Sequence, residues 1–216
     1  MSTLEYHLEE LAVARAQNDP RRVMPDLPDE FDSILDLGCG AGQTLIACSL
    51  KPGVVACGVD VDEEALRYGN QLAPEIKFAC AGGEALPFAD QTFDVVISRV
   101  ALPYMHIPTA LSEVVRVLKP GGHVWFTLHS SALVRQWLFK ALFSGNWKSV
   151  IYLSYVLLNG LLLHGFGRLM RFPLNRARCE SFQTVRSIQR ALEAAGFARV
   201  QTDYSPQVFV VKAVKA

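Results

Sequence analysis

The sequence predicts an α/β fold with a Rossmann-like, doubly wound sheet of seven strands, mostly parallel with an antiparallel last strand. Three observations predict it. Strand-like apolar runs alternate with helix-like segments between residues 33 and 128, as in a parallel sheet covered on both faces. A glycine-rich turn follows the first of these runs. Two strand-like runs joined by a Ser-Pro dipeptide end the chain, and such a hairpin implies an antiparallel last strand.

Five strands are predicted in the first part of the chain, at 33–37, 54–59, 76–80, 93–98 and 123–128. The predicted helices between and after them are 43–50, 62–72, 107–118 and 180–195, the last ended by Gly196 as a C-terminal cap. Ligands bind beyond the carboxyl ends of the strands in an open sheet of this kind. Functional residues are therefore expected directly after each strand.

Length and composition fit one domain over residues 1–216, which begins with an N-terminal helix within residues 1–30. Half of the 216 residues are hydrophobic, as expected for a domain with its own core. The formal net charge is zero, so the overall charge does not attract nucleic acid. The five cysteines form no CxxC pair, which favours free thiols in a reducing compartment and no metal site. The charged N-terminus lacks the apolar core of a signal peptide, so we expect a cytoplasmic protein.

The glycine-rich turn lies in "ILDLGCGAGQT", where Gly38, Gly40 and Gly42 follow an apolar strand. Amides at the start of the next helix favour a negatively charged ligand. The dinucleotide fingerprint needs a glycine where Gln43 stands, so a nicotinamide-dependent dehydrogenase is disfavoured. A tight turn without any ligand stays open on this motif alone.

Asp60 stands at the end of the second predicted strand, in "GVDVDEEAL". A carboxylate at this place can accept hydrogen bonds from both hydroxyls of a ribose. The alternative role is to cap the following helix, but Asp62 and the acidic first turn already serve that purpose. We therefore expect Asp60 to bind a ligand.

With these residues in view, the chain resembles the class I S-adenosylmethionine-dependent methyltransferases, in their small-molecule type 11 branch. The motifs "ILDLGCGAGQT", "GVDVDEEAL", "GEALPFADQTFDVVIS" and "RVLKPGG" stand in the family's order. The resemblance covers about residues 31–128 and, more weakly, residue 180 to the end. It implies S-adenosylmethionine as cofactor and S-adenosylhomocysteine as product.

The resemblance also implies positions for the parts of the cofactor. The methionine part would lie against Asp36, Gly38, Gly40 and Gly42, with Ser98 and Arg99 contacting its amino-acid end through backbone atoms. Asp60 would hold the ribose, Val61 would pack on the adenine, and Gly83 and Glu84 would meet the adenine edge. Gly82 stands where the family has an aspartate, so Glu84 or a backbone carbonyl would take over that contact.

Two histidines are candidate bases for a small, partly apolar acceptor. A base is needed only when the nucleophile carries a proton of high pKa. His129 follows the fifth predicted strand and is either a base or a cap of the next segment. His106 is the second candidate, unless it simply begins helix 107–118. The acceptor atom stays open, and so does a sensor or partner subunit that binds the cofactor without catalysis.

An apolar insertion over about residues 131–178 follows the fifth strand. It lies within a stretch without Asp or Glu from residue 114 to 179, and residues 149–167 carry no charged side chain. Because the segments on both sides belong to one sheet, we expect a helical hairpin rather than a single membrane span. Three roles stay open for it: a lid over the acceptor, a homodimer interface, or a face that rests on a membrane.

Overall fold

The computed structural model describes residues 3–19, 21–204 and 209–216, with side chains from residue 5 onward. Its centre is one seven-stranded sheet in the order β3-β2-β1-β4-β5-β7-β6. The strands are β1 (Ser33–Leu37), β2 (Val55–Asp60), β3 (Lys77–Cys80), β4 (Phe93–Arg99), β5 (Leu118–Thr127), β6 (Phe197–Tyr204) and β7 (Phe209–Lys215). The helices are α1 (Thr3–Arg15), α2 (Gln43–Ala47), α3 (Glu63–Leu72), α4 (Ile107–Val117), α5 (Ser131–Phe143), α6 (Trp147–Phe166) and α7 (Val185–Ala195).

The predicted doubly wound sheet is confirmed. Strands β1 to β5 pair in parallel, whereas β7 pairs antiparallel with both β5 and β6. All five residues of β1 are buried, as expected for a central strand covered on both faces. The strand order reverses between β1 and β4, so a crevice is expected beyond their carboxyl ends. The Ser-Pro turn predicted between the last two strands lies outside the described residues.

Several predicted boundaries are wrong, for local reasons. Strand β5 begins at Leu118 instead of residue 123, because Leu118 already pairs with Phe93 before a bulge shifts the register. Helix α2 stops at Ala47. Helix α7 begins at Val185 instead of residue 180, because Thr184 and Ser187 form a capping box there. Gly196 caps that helix in the left-handed conformation, as predicted.

The insertion forms the expected helical hairpin, with α5 and α6 joined by residues 144–146. A small core of Val134, Tyr155, Val156 and Phe182 holds the two helices against the segment that follows them. Leu163, near the end of α6, belongs to the main core. Within α5, Val134 is buried whereas Leu142 is exposed.

Residue 160 of α6 must be a glycine because the ring of Phe182 approaches its backbone closely. A Cβ at residue 160 would lie 2.2 Å from Cδ1 of Phe182. We expect Gly160→Ala to lower the free energy of unfolding by about 1–3 kcal/mol through overpacking. Urea titration measures this, with Gly165→Ala as the control, because a Cβ at residue 165 meets nothing within 4 Å. Equal stability of the two variants would contradict the packing argument.

Candidate active site

Two aspartates stand at the carboxyl ends of β1 and β2. The Oδ2 atom of Asp60 accepts a 2.7 Å hydrogen bond from the amide of Gly40, and its Oδ1 atom accepts one of 3.0 Å from the amide of Asp62. These two bonds fix the orientation of the Asp60 carboxylate and leave lone pairs on both oxygens. The carboxylate is half-buried, so it can accept further hydrogen bonds from a ligand. Asp62 caps α3, as expected, by accepting from the amides of Glu64 and Ala65.

The three glycines of the loop use their amides within the protein. The amide of Gly38 donates to the carbonyl of Val59 at 2.8 Å, and that of Gly42 donates to the carbonyl of Cys39 at 2.9 Å. The Gly40 amide is taken by Asp60. The expectation that these amides attract an anion is therefore wrong. Helix α2 has only five residues, so its helix dipole is small and attracts a negatively charged ligand only weakly.

Each glycine is instead required by a close protein neighbour and by its backbone conformation. All three have positive φ, and a Cβ would lie 2.1 Å from Ala101 at Gly38, 2.7 Å from the His7 ring at Gly40 and 2.9 Å from Phe78 at Gly42. Ala101 begins the 3-10 turn Leu102–Tyr104 that follows β4. The glycine loop thus packs closely against the segment after the neighbouring strand.

Asp36 is a buried carboxylate without a partner among the described residues. It is 1% exposed, and neither of its oxygens has a hydrogen-bond partner. Burial raises the pKa of Asp36 to about 7, a shift that Arg99 opposes and Asp60 reinforces. An unpaired buried acceptor calls for a cation or an N–H donor. The loop therefore suits a cationic ligand group better than a pyrophosphate.

Helix α1 lies over the glycine loop and is tied to it by polar contacts. Nε2 of Gln43, the residue that breaks the dinucleotide fingerprint, lies 2.8 Å from Nδ1 of His7. Arg99, at the end of β4, forms an ion pair of 2.9 Å with Glu10. Its Nε also donates to the Thr44 hydroxyl at 3.2 Å. Loop, helix and strand end thus form one connected unit.

The residues expected near the adenine and the amino-acid end lie around the same strand ends. Val61, directly after β2, is 72% exposed and so is free to pack on a ligand. Glu84 accepts from the amide of His106 at 3.0 Å, while its Oε2 atom lies 3.4 Å from where a Cβ of residue 82 would be. The Gly83 backbone packs against Met105. The hydroxyl of Ser98 donates to the carbonyl of Leu37 and so joins β4 to β1.

A second group of functional side chains lies beyond β5, around His129 and Glu180. His129 Nδ1 lies 3.7 Å from Oε1 of Glu180, and both side chains are at least 95% buried. Nδ1 of His129 has no hydrogen-bond partner among the described residues. Burial lowers the pKa of His129 to about 4 and raises that of Glu180. At neutral pH the imidazole is therefore neutral, while burial disfavours the ionised form of Glu180.

Glu180 is held in place by helix α6. Its Oε2 atom accepts a 2.6 Å hydrogen bond from the hydroxyl of Tyr152, and its backbone carbonyl accepts from Asn159 at 2.9 Å. The segment that follows is bonded to the end of β5, because Gln183 exchanges hydrogen bonds with the backbone of His129. The hairpin thus places a carboxylate next to the imidazole.

A cavity of about 490 Å³ opens beside this pair. It is lined by Tyr104, Trp137, Tyr152, Leu153, Ala177, Arg178, Cys179 and Glu180. The rings of Tyr104 and Trp137 each lie 5.2 Å from that of His129, edge to face. His129 is thus behind the aromatic wall, whereas Glu180 lines the cavity. Tyr104 ends the turn that begins beside Gly38, so the cavity and the glycine loop are neighbours.

His106 and His129 are not brought together. The His106 ring lies at the start of α4, where its Nδ1 atom is 2.8 Å from the Thr109 hydroxyl, and it does not line this cavity. Glu180 was missed as a site residue because it was assigned to a helix. One sequence signal pointed to it, since it is the first acidic residue after a long stretch without any.

The strand order, the glycine loop after β1 and the acidic residue ending β2 define the class of the domain. They agree with the features that the resemblance to the class I S-adenosylmethionine-dependent methyltransferases implies. In the part of the chain that the structure describes, no group of three or more His, Cys, Asp or Glu side chains is placed to hold a metal ion.

Comparison with known proteins agrees with this class. Residues 35–126 match the Methyltransf_11 family, described as a methyltransferase domain. The chain is 37% identical over 111 residues to the phthiotriol/phenolphthiotriol dimycocerosates methyltransferase of Mycobacterium leprae, over 48% of this chain and 40% of the relative. It is 35% identical over 100 residues to the human mitochondrial arginine-hydroxylase NDUFAF5, over 45% of this chain and 28% of that protein.

Among solved structures, the fold resembles that of a Burkholderia thailandensis 1,6-didemethyltoxoflavin-N1-methyltransferase with bound S-adenosylhomocysteine. The TM-score is 0.57 at 19% identity, over 96% of this chain and 77% of that one. The chain spans less than half of the length of the two curated relatives. The family match over residues 35–126 and the curated relatives support a class I S-adenosylmethionine-dependent methyltransferase domain there, and the solved structure supports its fold.

Proposed function

We propose that this protein transfers the methyl group of S-adenosylmethionine to a small, partly apolar acceptor. The observation that carries the proposal is the unpaired, buried carboxylate of Asp36 beside a loop whose three glycine amides are used internally. Such a site favours a ligand with cationic groups over a dinucleotide phosphate. One relative is named as a methyltransferase and another as a hydroxylase, so the reaction itself needs its own test.

The residues present fit the cofactor. Asp36 would face the ammonium of the methionine part, and Asp60, oriented by two amides, would accept from the ribose hydroxyls. Val61 would cover the adenine. Glu84 would contact the adenine edge, because Gly82 stands where the family has an aspartate for that contact. Bound at these residues, S-adenosylmethionine supplies a methyl group on a sulfonium, a good leaving group. Because His7 fills the space beside Gly40, we expect α1 to shift when the cofactor enters.

The cavity between Tyr104 and the hairpin is the proposed acceptor site. Three aromatic rings of its wall suit a flat or apolar molecule, and Glu180 is the acidic side chain that faces it. When the acceptor nucleophile carries a proton, the Glu180 carboxylate would take up that proton. The methyl group would come from the sulfonium, whose bond to the methyl carbon would break to leave neutral S-adenosylhomocysteine. His129 acts as a positioning residue behind Glu180, at 3.7 Å. Holding the acceptor in line with the methyl group supplies most of the rate.

Replacing Asp60 tests the cofactor site. We expect Asp60→Ala to weaken the binding of S-adenosylhomocysteine by at least about 100-fold, since bonds to a charged group are worth about 1.5–3 kcal/mol each. Isothermal titration calorimetry measures this. Asp62→Ala is the matched control, because it removes the side-chain cap of α3 but keeps the backbone amide that orients Asp60. Normal binding by Asp60→Ala would refute the ribose assignment.

The activity is tested by assaying methyl transfer from S-adenosylmethionine to a panel of quinones, phenols, amines and lipids. We expect transfer to at least one apolar or aromatic member, lost in Asp60→Ala. Binding of S-adenosylhomocysteine without transfer to any of them would instead favour a sensor or partner subunit without catalysis.

A further inference from the structure

The helical hairpin of α5 and α6 and the segment after it carry an unusual share of exposed apolar side chains. Among the nineteen exposed large hydrophobic side chains described, ten lie between residues 139 and 174. The most exposed are Phe143 at 90%, Leu174 at 79% and Phe166 at 76%. Phe143 and Trp147, which is 71% exposed, flank the turn that joins the two helices. A monomeric soluble protein seldom leaves such a concentration facing water, and it marks an interaction surface.

The outward face of α6 is a mainly apolar stripe, interrupted by the exposed Ser154. Trp147, Ile151, Leu158 and Leu161 are exposed at spacings of four, seven and three residues, which places them on one side of the helix. Tyr155, Val156, Asn159 and Leu163, on the opposite side, are buried. A surface helix normally turns polar residues outward. This helix packs one apolar face on the domain and presents a second one outward.

The charged side chains of the hairpin and of the segment after it all have one sign. The exposed basic side chains of the hairpin and the segment after it are Arg135, Lys140, Lys148, Arg168, Arg171, Arg176 and Arg178. The chain has no Asp or Glu from residue 114 to 179. Apolar side chains beside a purely basic set are typical of surfaces that lie in the interface of an anionic bilayer.

A membrane span does not fit the fold around α6. By length and composition α6 could cross a membrane, and 28% of its most apolar window is buried in the protein. Strands β5 and β7, which precede and follow the hairpin, pair directly with each other. Leu163 also packs in the main core. One crossing by α6 would separate these elements, so the helix lies along the domain.

A second copy of the chain is also a poorer partner for this face. In a two-fold dimer the same surface meets itself, so the basic side chains of one hairpin would face those of the other with no acidic residue to neutralise them. An anionic bilayer supplies the opposite charge. We propose that residues 131–178 dock this protein on anionic lipid membranes, with Phe143 and Trp147 inserted among the headgroups. The hairpin also supplies Trp137, Tyr152 and Leu153 to the proposed acceptor cavity.

Co-sedimentation of the purified full chain with vesicles tests the proposal. We expect binding to vesicles of mixed phosphatidylcholine and phosphatidylserine, weaker binding to phosphatidylcholine alone, and a decrease with added salt. The double variant F143S/W147S should reduce partitioning by about tenfold or more, since two large apolar side chains no longer enter the interface. Leu72→Ser, an exposed apolar position at the end of α3, should change nothing.

Charge-reversal variants test the electrostatic contribution to membrane binding separately from the apolar one. R171E/R176E should weaken binding to the anionic vesicles, whereas Arg186→Glu, an exposed position on α7, should not. S-adenosylhomocysteine binding by each variant reports an intact fold independently of activity. Absence of binding to either vesicle, equal binding to both, or anionic binding that F143S/W147S leaves unchanged would overturn the proposal. So would a dimer in light scattering that F143S/W147S converts to monomer without any vesicle binding.

Discussion

Replacing Asp36 with asparagine is expected to stabilise the cofactor-free protein and to weaken its binding of cofactor. Burial raises the pKa of Asp36 to about 7 from an ordinary 3.8, so the folded protein holds this proton more tightly than the unfolded chain. The wild-type chain therefore loses stability relative to the Asp36→Asn variant as pH rises through about 7, and the two converge below about pH 4. The full difference, reached near pH 8, is of the order of 4 kcal/mol.

Urea titration of both proteins at pH 5 and pH 8 measures this difference, which should be the larger one at pH 8. Ser33, whose side chain hydrogen-bonds Asp94 at the other end of β1, offers a control: Ser33→Ala should shift stability without this pH dependence. Binding of S-adenosylhomocysteine should strengthen from pH 6 to pH 8 in the wild type, as Asp36 ionises. That dependence should vanish in Asp36→Asn. Equal stability of the wild type and the Asp36→Asn variant at both pH values would contradict the unpaired-carboxylate account.

Removing either member of the Glu180–His129 pair is expected to slow methyl transfer with S-adenosylhomocysteine binding unchanged. Glu180→Gln should lower kcat by about 10²–10⁴, the usual contribution of a positioned base, for any acceptor whose nucleophile carries a proton. His129→Asn should lower it less, because His129 acts through Glu180. His123→Asn, an exposed histidine nearer the other end of β5, is the matched control.

The pH profile separates a positioning role for His129 from a structural one. Because burial lowers the pKa of His129 to about 4, kcat at saturating S-adenosylmethionine should not fall through the ordinary histidine range as pH drops from 8 to 6. Replacing His129 with asparagine should shift the acidic limb of the pH profile, because that limb reports the titration of Glu180. An unshifted profile, or a Glu180→Gln variant within about tenfold of the wild-type rate, would contradict the pair's assigned role.

The sheet could be predicted because its signals are local. Strand β1 was bounded correctly from its apolar run, and Asp62 and Gly196 were identified as caps from residue type and place alone. The antiparallel last strand followed from the terminal hairpin. What these signals share is that a few neighbouring residues determine the backbone conformation.

The site was harder to predict because contacts distant in sequence determine it. The glycine amides were expected to face a ligand, yet Asp60 and Val59 take them. Gln43 excluded one cofactor class, but its contact with His7 depends on where α1 packs. Glu180 became a site residue only because Tyr152 and Asn159 of the hairpin hold it beside His129.

Calorimetric titration of the purified chain with S-adenosylhomocysteine and, separately, with NAD tests the central claim most directly. The claim is that the strand ends of β1 and β2 form a site for an adenosyl cofactor with a cationic amino-acid part. The account predicts saturable 1:1 binding of S-adenosylhomocysteine, tighter at pH 8 than at pH 6, and no binding of NAD. Binding of NAD, or of neither ligand, would contradict it.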